Sequence, residues 1–254
     1  MSEGSVEIVT AGLLVIGDEI LSGRTKDKNI GYLAEFLTNI GIDLKEVRVV
    51  ADDEAAIVEA LNALRTRYTY VFTTGGIGPT HDDITADSVA KAFGVSIDHD
   101  PRAIALIKSR FQGELNEARL RMARIPAGAD LITNKISAAP GFRIGNVHVM
   151  AGVPAIMQAM LDEIAPTLKT GVKMLSETVR ADAREGDVGT ELAAIAKAHP
   201  EVSIGSYPFF DPEKGPNTNI VVRSRDAGKL AAAKSAVEEM LAKVRAELAK
   251  AKAG

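Results

Sequence analysis

The chain of 254 residues contains no cysteine. That removes disulfides, thiolate zinc sites, iron–sulfur clusters and cysteine nucleophiles together, and it fits a reducing compartment. No apolar run approaches the ~18 residues that a membrane span requires. The first residues, Met1-Ser-Glu-Gly-Ser-Val-Glu7, are acidic where a signal peptide is basic, and the apolar run Ala11–Ile16 that follows is short. Positive charge is not in excess either: 30 Lys and Arg against 34 Asp and Glu leave a net charge of −4. The sequence thus lacks the basic footprint of a non-specific nucleic-acid binder. These absences lead to the expectation of a soluble, cytoplasmic protein with neither a membrane nor a nucleic acid as partner.

What is present is an ordinary globular composition, 46% hydrophobic and 25% charged, sufficient for a sizeable core. At roughly 150 residues per domain, the length allows one large domain or a medium one with a small one. Through the first two thirds, apolar runs alternate with helical periodicity. Ala11–Ile16 reads as a strand buried on both faces, followed by a helix with Ile30, Leu33, Leu37 and Ile40 on one stripe and Gly41 as its stop. Leu44–Val50, Tyr70–Thr74 and Val147–Ala151 read as further strands. Helices are expected around Ile57–Leu64, Ala86–Phe93, Pro101–Phe111 and Ala155–Ile164. This alternation predicts a mostly parallel sheet with helices on both faces. The pattern changes near Pro166–Val172. Beyond it the order is strand, helix, strand, strand and a long helix from Ala227, a small α+β unit. The expected domains are 1–170 and 171–254.

Two turns carry the chemistry. The first is Thr74-Gly75-Gly76-Ile77-Gly78-Pro79-Thr80-His81-Asp82-Asp83-Ile84-Thr85. A glycine-rich turn between strand and helix lets backbone N–H groups approach a phosphate. Two carboxylates beside such a cradle would repel the ligand unless a divalent cation bridges them; the competing reading makes Asp82 or Asp83 a simple helix cap. The second turn is Gly17-Asp18-Glu19-Ile20-Leu21-Ser22-Gly23, followed by Asp27 and Asn29. It also follows a strand, so it should lie on the same carboxyl edge of the sheet, where open α/β sheets bind ligands. Asp52-Asp53 is a third acidic group after a strand, with a stronger case for capping. Loops dense in Pro and Gly, Arg124–Gly128, Ala139–Phe142 and Ala151–Pro154, read as turns that name no ligand. Gly186-Asp187-Val188-Gly189 has the Gly-x-x-Gly spacing of RNA-binding KH loops, but its Asp would face the phosphate backbone and it lies between a strand and a helix instead of two helices, so RNA binding is not expected. Phe209-Phe210 reads as an exposed turn or part of a subunit contact.

Thr74–Thr85, Gly17–Gly23 with Asp27 and Asn29, and Ala139–Phe142 with Gly152-Val153-Pro154 together resemble the competence/damage-inducible protein A (CinA) family. Its N-terminal domain is of the molybdopterin-binding, MoaB/Mog type. The resemblance covers roughly residues 10–170, and Gly205-Ser206-Tyr207-Pro208 extends it into a KH-like second domain. It implies a three-layer α/β sandwich followed by a smaller α+β domain. For the family it also implies metal-dependent pyrophosphatase activity on a dinucleotide such as ADP-ribose or FAD. The C-terminal amidohydrolase domain of longer members is not in this sequence, so deamidation of a nicotinamide nucleotide is not expected. Molybdopterin-handling members carry Arg-Asp where this chain has Asp82-Asp83. Asp83 therefore matches their functional Asp, and Asp52 matches the other acidic position. Ser137 and Met150-Ala151 depart from the family's usual Gly and Leu-Pro.

The resulting expectation is a hydrolase in which Asp83, Asp82 and Asp52 hold Mg²⁺, Mn²⁺ or Co²⁺. Gly17, Asp18, Glu19, Gly23, Asn29, Thr74, Gly75, Gly76, Gly78, Pro79, Thr80 and Thr85 would form the nucleotide pocket. The alternatives are a non-catalytic binder of molybdopterin or another pterin phosphate, and a structural or regulatory partner in competence or the DNA-damage response. A homo-oligomer is expected.

Overall fold

The computed structural model describes residues 8–111 and 115–253. The chain forms two compact units that meet in sequence between Gly171 and Val172.

The first unit opens with β1 (Val9–Ile16), the one-turn α1 (Asp18–Leu21), α2 (Asn29–Asn39) and β2 (Ile42–Val50). Next come α3 (Glu54–Arg67), β3 (Tyr70–Thr74), α4 (Thr85–Phe93) and β4 (Ile97–His99). Then follow α5 (Pro101–Arg110), α6 (Glu117–Arg121), β5 (Arg124–Pro126), β6 (Asp130–Ile132), β7 (Gly141–Ile144), β8 (Val147–Met150) and α7 (Pro154–Ile164). Six of these strands form one sheet in the order β2-β1-β3-β8-β7-β6. The first four run parallel, and the last two are antiparallel additions. Sequence periodicity explains the two-sided burial. In β1, Leu14 and Ile16 join one apolar cluster with Ile57, Leu61 and Leu64 of α3 and Val89 of α4. The alternate residues Ala11, Leu13 and Val15 join the other, with Leu33 and Leu37 of α2 and Met157 and Leu161 of α7. A strand feeding two cores has no polar face, hence the continuous apolar run. Helices therefore cover both faces of the sheet, a three-layer α/β arrangement.

The second unit holds β9 (Leu175–Arg180), α8 (Glu185–Ala198), β10 (Ser203–Asp211), β11 (Gly215–Ser224) and α9 (Ala227–Ala253). Its antiparallel sheet has the order β10-β11-β9. Val188 and Leu192 of α8 and Leu230, Val237, Leu241 and Val244 of α9 pack with Ile220 and Val222 of β11.

Several expectations are corrected. Gly186 and Gly189 lie in the first turns of α8, so the Gly-x-x-Gly segment is not a KH-type loop. Phe209 and Phe210 belong to β10 rather than to a turn, with Phe210 73% exposed. Gly141-Phe142, read as turn, begins β7; a Cβ at Gly141 would stand 2.2 Å from the Val149 carbonyl oxygen, so Gly there allows close strand pairing rather than a bend.

His148 sits in β8, 1% exposed, its ring stacked on Phe72 at 5.3 Å between centroids and edge-on to Tyr70 at 5.6 Å. Burial, aided by the charge of Arg143, pushes its pKa down from 6.5 to about 4. The unfolded chain therefore takes up this proton at higher pH than the folded one does. The contribution to stability is intact above about pH 6.5 and is lost as the pH falls toward 4. The loss is at most about 3 kcal/mol. Replacing His148 by Phe should flatten this part of the pH–stability curve, as measured by urea unfolding at pH 7, 5.5 and 4.

Candidate functional site

The site is set by where the chain reverses direction across the sheet. From β1 the chain passes outward to β2, whereas from β3 it passes the other way to β8. The helix after β1, α2, packs on one face, and the helix after β3, α4, on the other. Such a switch point leaves a crevice at the carboxyl ends of the two central strands. The Gly17–Gly23 and Gly75–Asp83 turns follow those two strand ends.

At the mouth of β3 the backbone turns sharply. Gly75 and Gly76 have φ of +104° and +65°, and a Cβ on Gly75 would stand 2.1 Å from the Ile16 carbonyl oxygen of β1. A Cβ on Gly76 would meet the Thr85 hydroxyl at 2.1 Å. No other residue fits either position. Thr85, fully buried at the start of α4, fastens the turn. Its hydroxyl donates to the Gly75 carbonyl at 3.0 Å and its N–H to the Gly76 carbonyl at 3.0 Å. The Gly75 N–H donates to Met150 of β8 at 3.2 Å. Among the described residues, the N–H groups of Gly76, Ile77 and Gly78 donate to no protein acceptor. The sequence reading of this turn as a cradle for an anion rests on such amides.

Asp83 is turned into its own loop. Its Oδ2 accepts the Thr80 N–H at 2.8 Å and also the Thr80 hydroxyl. It holds the outer half of the turn closed and is not paired with Asp52. Asp52, by contrast, crosses to the neighbouring turn, where its Oδ2 accepts the Asp18 N–H at 2.9 Å. Asp53 is the helix cap of the pair, accepting the Ala56 N–H at 2.8 Å. Burial raises the Asp52 carboxyl above its usual value; the Asp18 N–H opposes this, and the charges of Asp18, Glu19 and Asp82 add to the rise. Asp82 is exposed. The Thr80 hydroxyl and its own amide, then His81 and Arg121, draw its carboxyl below the usual value.

Asp52, Asp82 and Asp83 were expected as three ligands of one cation. They do not make such a cage: among the described residues no three His, Asp or Glu side chains are placed to hold a metal ion. Asp83 Oδ2 is turned to Thr80 instead. What Asp52 does feel, from the loops after β1 and β3, is the negative charge of Asp18, Glu19 and Asp82.

On the flank of the crevice, Asn29 is 4% exposed and its Nδ2 donates to the Gly152 carbonyl at 2.8 Å, which ties α2 to the loop after β8. Asp27 caps α2 through the N–H groups of Asn29 and Ile30 at 3.0 and 2.7 Å. Asn29 Oδ1 and Thr74 Oγ1 are buried without a partner. Both residues line a cavity of about 200 Å³ with Glu19, Thr25 and Gly152. Gly17 joins the turn to β2 by donating to the Val50 carbonyl at 3.1 Å. Gly23 lies exposed and away from these contacts, and Pro79 and Thr80 stand at the exposed tip of the glycine turn. Sequence reasoning missed Arg121 and Arg124, which line a small cavity with Gly76, Gly78 and Asp83. The only signal was three arginines, Arg119, Arg121 and Arg124, within six residues of a chain with a net charge of −4.

An α/β fold with a glycine turn and acidic loops at its switch point defines a ligand-binding domain of the doubly wound kind. The pattern of the probable molybdopterin binding domain matches residues 12–170, and the chain belongs to that family. The pattern of the FAD synthase middle domain matches residues 173–248. The chain is 31% identical over 229 residues to a protein of Archaeoglobus fulgidus, covering 90% of this chain and 96% of that one. It is 30% identical over 260 residues to a probable FAD synthase of Caenorhabditis elegans, covering 92% of this chain but spanning only 50% of that protein. Among solved structures, CinA of Thermoplasma acidophilum, a protein described as of unknown function, is 34% identical, with a TM-score of 0.60 over 63% of this chain and 98% of that chain.

The charge crowding around Asp52 has a measurable consequence. An acid whose folded pKa lies above its unfolded value weakens the fold at pH above both values, and the penalty disappears as the pH falls through them. Asp52→Asn should therefore raise the thermal unfolding midpoint at pH 7, since Asn still accepts from Asp18. The gain should vanish by about pH 3, below the ordinary carboxylate range. Differential scanning calorimetry across this range checks it.

Proposed function

We propose that the first unit is a divalent-metal-dependent pyrophosphatase acting on a dinucleotide such as ADP-ribose or FAD. The observation that carries the reading is that a turn whose amides meet no acceptor among the described residues lies at the same sheet edge as Asp52, whose carboxyl feels the charges of Asp18, Glu19 and Asp82. An anion cradle facing an acidic cluster is self-defeating unless the ligand is a phosphate compound accompanied by a cation. The similarity to a probable FAD synthase and to the FAD synthase middle domain supports a nucleotide as that compound.

In this reading the amides of Gly76, Ile77 and Gly78 receive phosphate oxygens, and Thr85 keeps the turn in the shape that presents them. Asp83 positions the outer half of the turn through Thr80 and is not itself a ligand. Asp52, with Asp18 and Asp82, provides the anionic wall, and the Asp18 N–H fixes the direction of the Asp52 carboxylate. Mg²⁺, Mn²⁺ or Co²⁺, when bound there with the substrate, would neutralise phosphate charge and favour deprotonation of water. Water attacks one phosphorus, the bridging P–O bond breaks, and two phosphomonoesters and the protons of the water are released. The cavity beside Asn29 and Thr74 has room for part of one nucleoside half.

The family's description as a probable molybdopterin binding domain supports a second reading, a binder of a pterin phosphate without turnover. Metal dependence separates the two. Product detection on ADP-ribose and FAD should give turnover with Mg²⁺, Mn²⁺ or Co²⁺ and none in EDTA. Asp82→Arg should lower turnover at least about a hundredfold by exchanging a cation-attracting group for one that pairs with phosphate directly. In calorimetric titration, the same variant should bind ADP-ribose in EDTA, whereas the wild type should not. Wild-type binding that is equally tight with and without metal, without turnover, would establish the second reading instead.

A further inference from the structure

A second cleft, of about 440 Å³, opens against the outer half of the glycine turn. It is lined by Pro79, His81, His99, Glu117, Arg121 and Arg124. Its two arginines are not equivalent. Arg124 is committed to Asp87 by two contacts of 2.6 Å, a paired fork with its charge cancelled. Arg121 makes no ion pair within 4.0 Å among the described residues. One Nη donates to the His81 carbonyl at 3.2 Å, and its Nε is sealed from solvent with no acceptor. The same side chain lines a cavity of about 10 Å³ together with Gly76, Gly78 and Asp83. It therefore borders both the glycine turn and the cleft.

A guanidinium is always charged and presents a rigid fork of donors. Leaving one of those donors buried without an acceptor is costly, and native structures rarely tolerate it without a reason. The acidic groups near Arg121 do not relieve it: Glu117 lines the cleft without pairing with it, and Asp82 interacts with it only at longer range. The sealed Nε does not meet a ligand, but the guanidinium also lines the open cleft, and its position there is informative. Arg121 stands beside the amides that face a phosphate in the reading above, displaced toward the tip of the turn. Arg121 shares one cavity lining with Gly76 and Gly78 and another with Pro79, the side on which a pyrophosphate seated on the turn would carry its second phosphoryl group.

We propose that Arg121 receives the second phosphoryl group of a pyrophosphate ligand, which makes the site selective for diphosphates over monophosphates. This rests on the glycine turn being the seat of the first phosphoryl group. Arg124, held by Asp87, serves as the fixed wall of the cleft.

The test uses the whole chain with Mg²⁺ and two probes, inorganic phosphate and methylenediphosphonate, whose P–C–P bridge cannot be hydrolysed. Isothermal titration should show the wild type preferring the diphosphonate by about tenfold or more, the scale of one charge-assisted contact. Arg121→Met should lose about that factor for the diphosphonate while its affinity for phosphate changes less than about threefold. Arg121→Lys, which keeps charge but not the fork, should fall between wild type and Met. Thermal unfolding confirms that each variant is folded, and Lys serves as the test if Met is not. An equal loss for both probes, or no loss for either, overturns the role of Arg121. Wild-type binding of phosphate without preference for the diphosphonate overturns it too and leaves the glycine turn standing. Failure of the wild type to bind either probe refutes the glycine turn as a phosphate seat, and the Arg121 proposal with it.

Discussion

The ends of β1 and β3 approach so closely that no side chain fits between them, and the site depends on that approach. Gly75 passes within reach of the Ile16 carbonyl, where a Cβ would stand at 2.1 Å. Gly152, on the loop after β8, is packed against Gly75, with a Cβ there meeting the Gly75 Cα at 3.2 Å. Three strand ends are thereby drawn to one line, and the loops that leave them have little choice of direction. The positive φ values of Gly75 and Gly76 turn the chain before α4 begins, and the next amides meet no acceptor among the described residues. Thr85 then fixes the shape from the far side. Each of these contacts is buried and local, so the turn is preorganised by the same packing that builds the sheet.

Electrostatics works against the fold at this edge, as is common where a site is built. Asp52 is held near Asp18, Glu19 and Asp82, and its carboxyl resists ionisation. A chain selected only for stability would not bring these groups together. The cost is reduced by the Asp18 N–H and by the exposure of Asp82, while Asp83 is withdrawn from the cluster by Thr80. Across the turn, Arg121 carries the opposite imbalance, a charge without an ion pair among the described residues. A ligand bearing two phosphoryl groups and a cation would complement both sides at once.

Much of this was legible in the sequence because the governing signals are local. The apolar run of β1, the helical stripe of α2 and the glycine turn after β3 each reflect a short-range rule of burial or backbone freedom. Asn29 was singled out by its place at a helix start, and it does hold α2 to the loop after β8. What stayed hidden depends on distance along the chain. Asp83 was expected beside Asp52, but its Oδ2 accepts from Thr80, three residues away, a hydrogen-bond choice that spacing does not reveal. Arg121 reaches the turn from a one-turn-scale helix some forty residues downstream, with no periodic pattern to announce it. Gly141 looked like a turn because glycine marks both bends and close strand contacts, and only pairing with Val149 tells them apart. The Gly-x-x-Gly of α8, already unfavoured as an RNA loop by its Asp, is helical because the capping pair Arg184–Asp187 starts the helix early enough to absorb both glycines.

The most direct measurement is a crystal structure of the chain with Mn²⁺ and an ADP-ribose analogue whose pyrophosphate bridge is a methylene group. An anomalous peak should lie between the Asp52 carboxylate and the phosphonate oxygens, with one phosphoryl group on the amides of Gly76–Gly78. A ligand bound with its phosphoryl groups away from that turn, or bound there with no ion beside Asp52, would contradict the metal-dependent reading of the site.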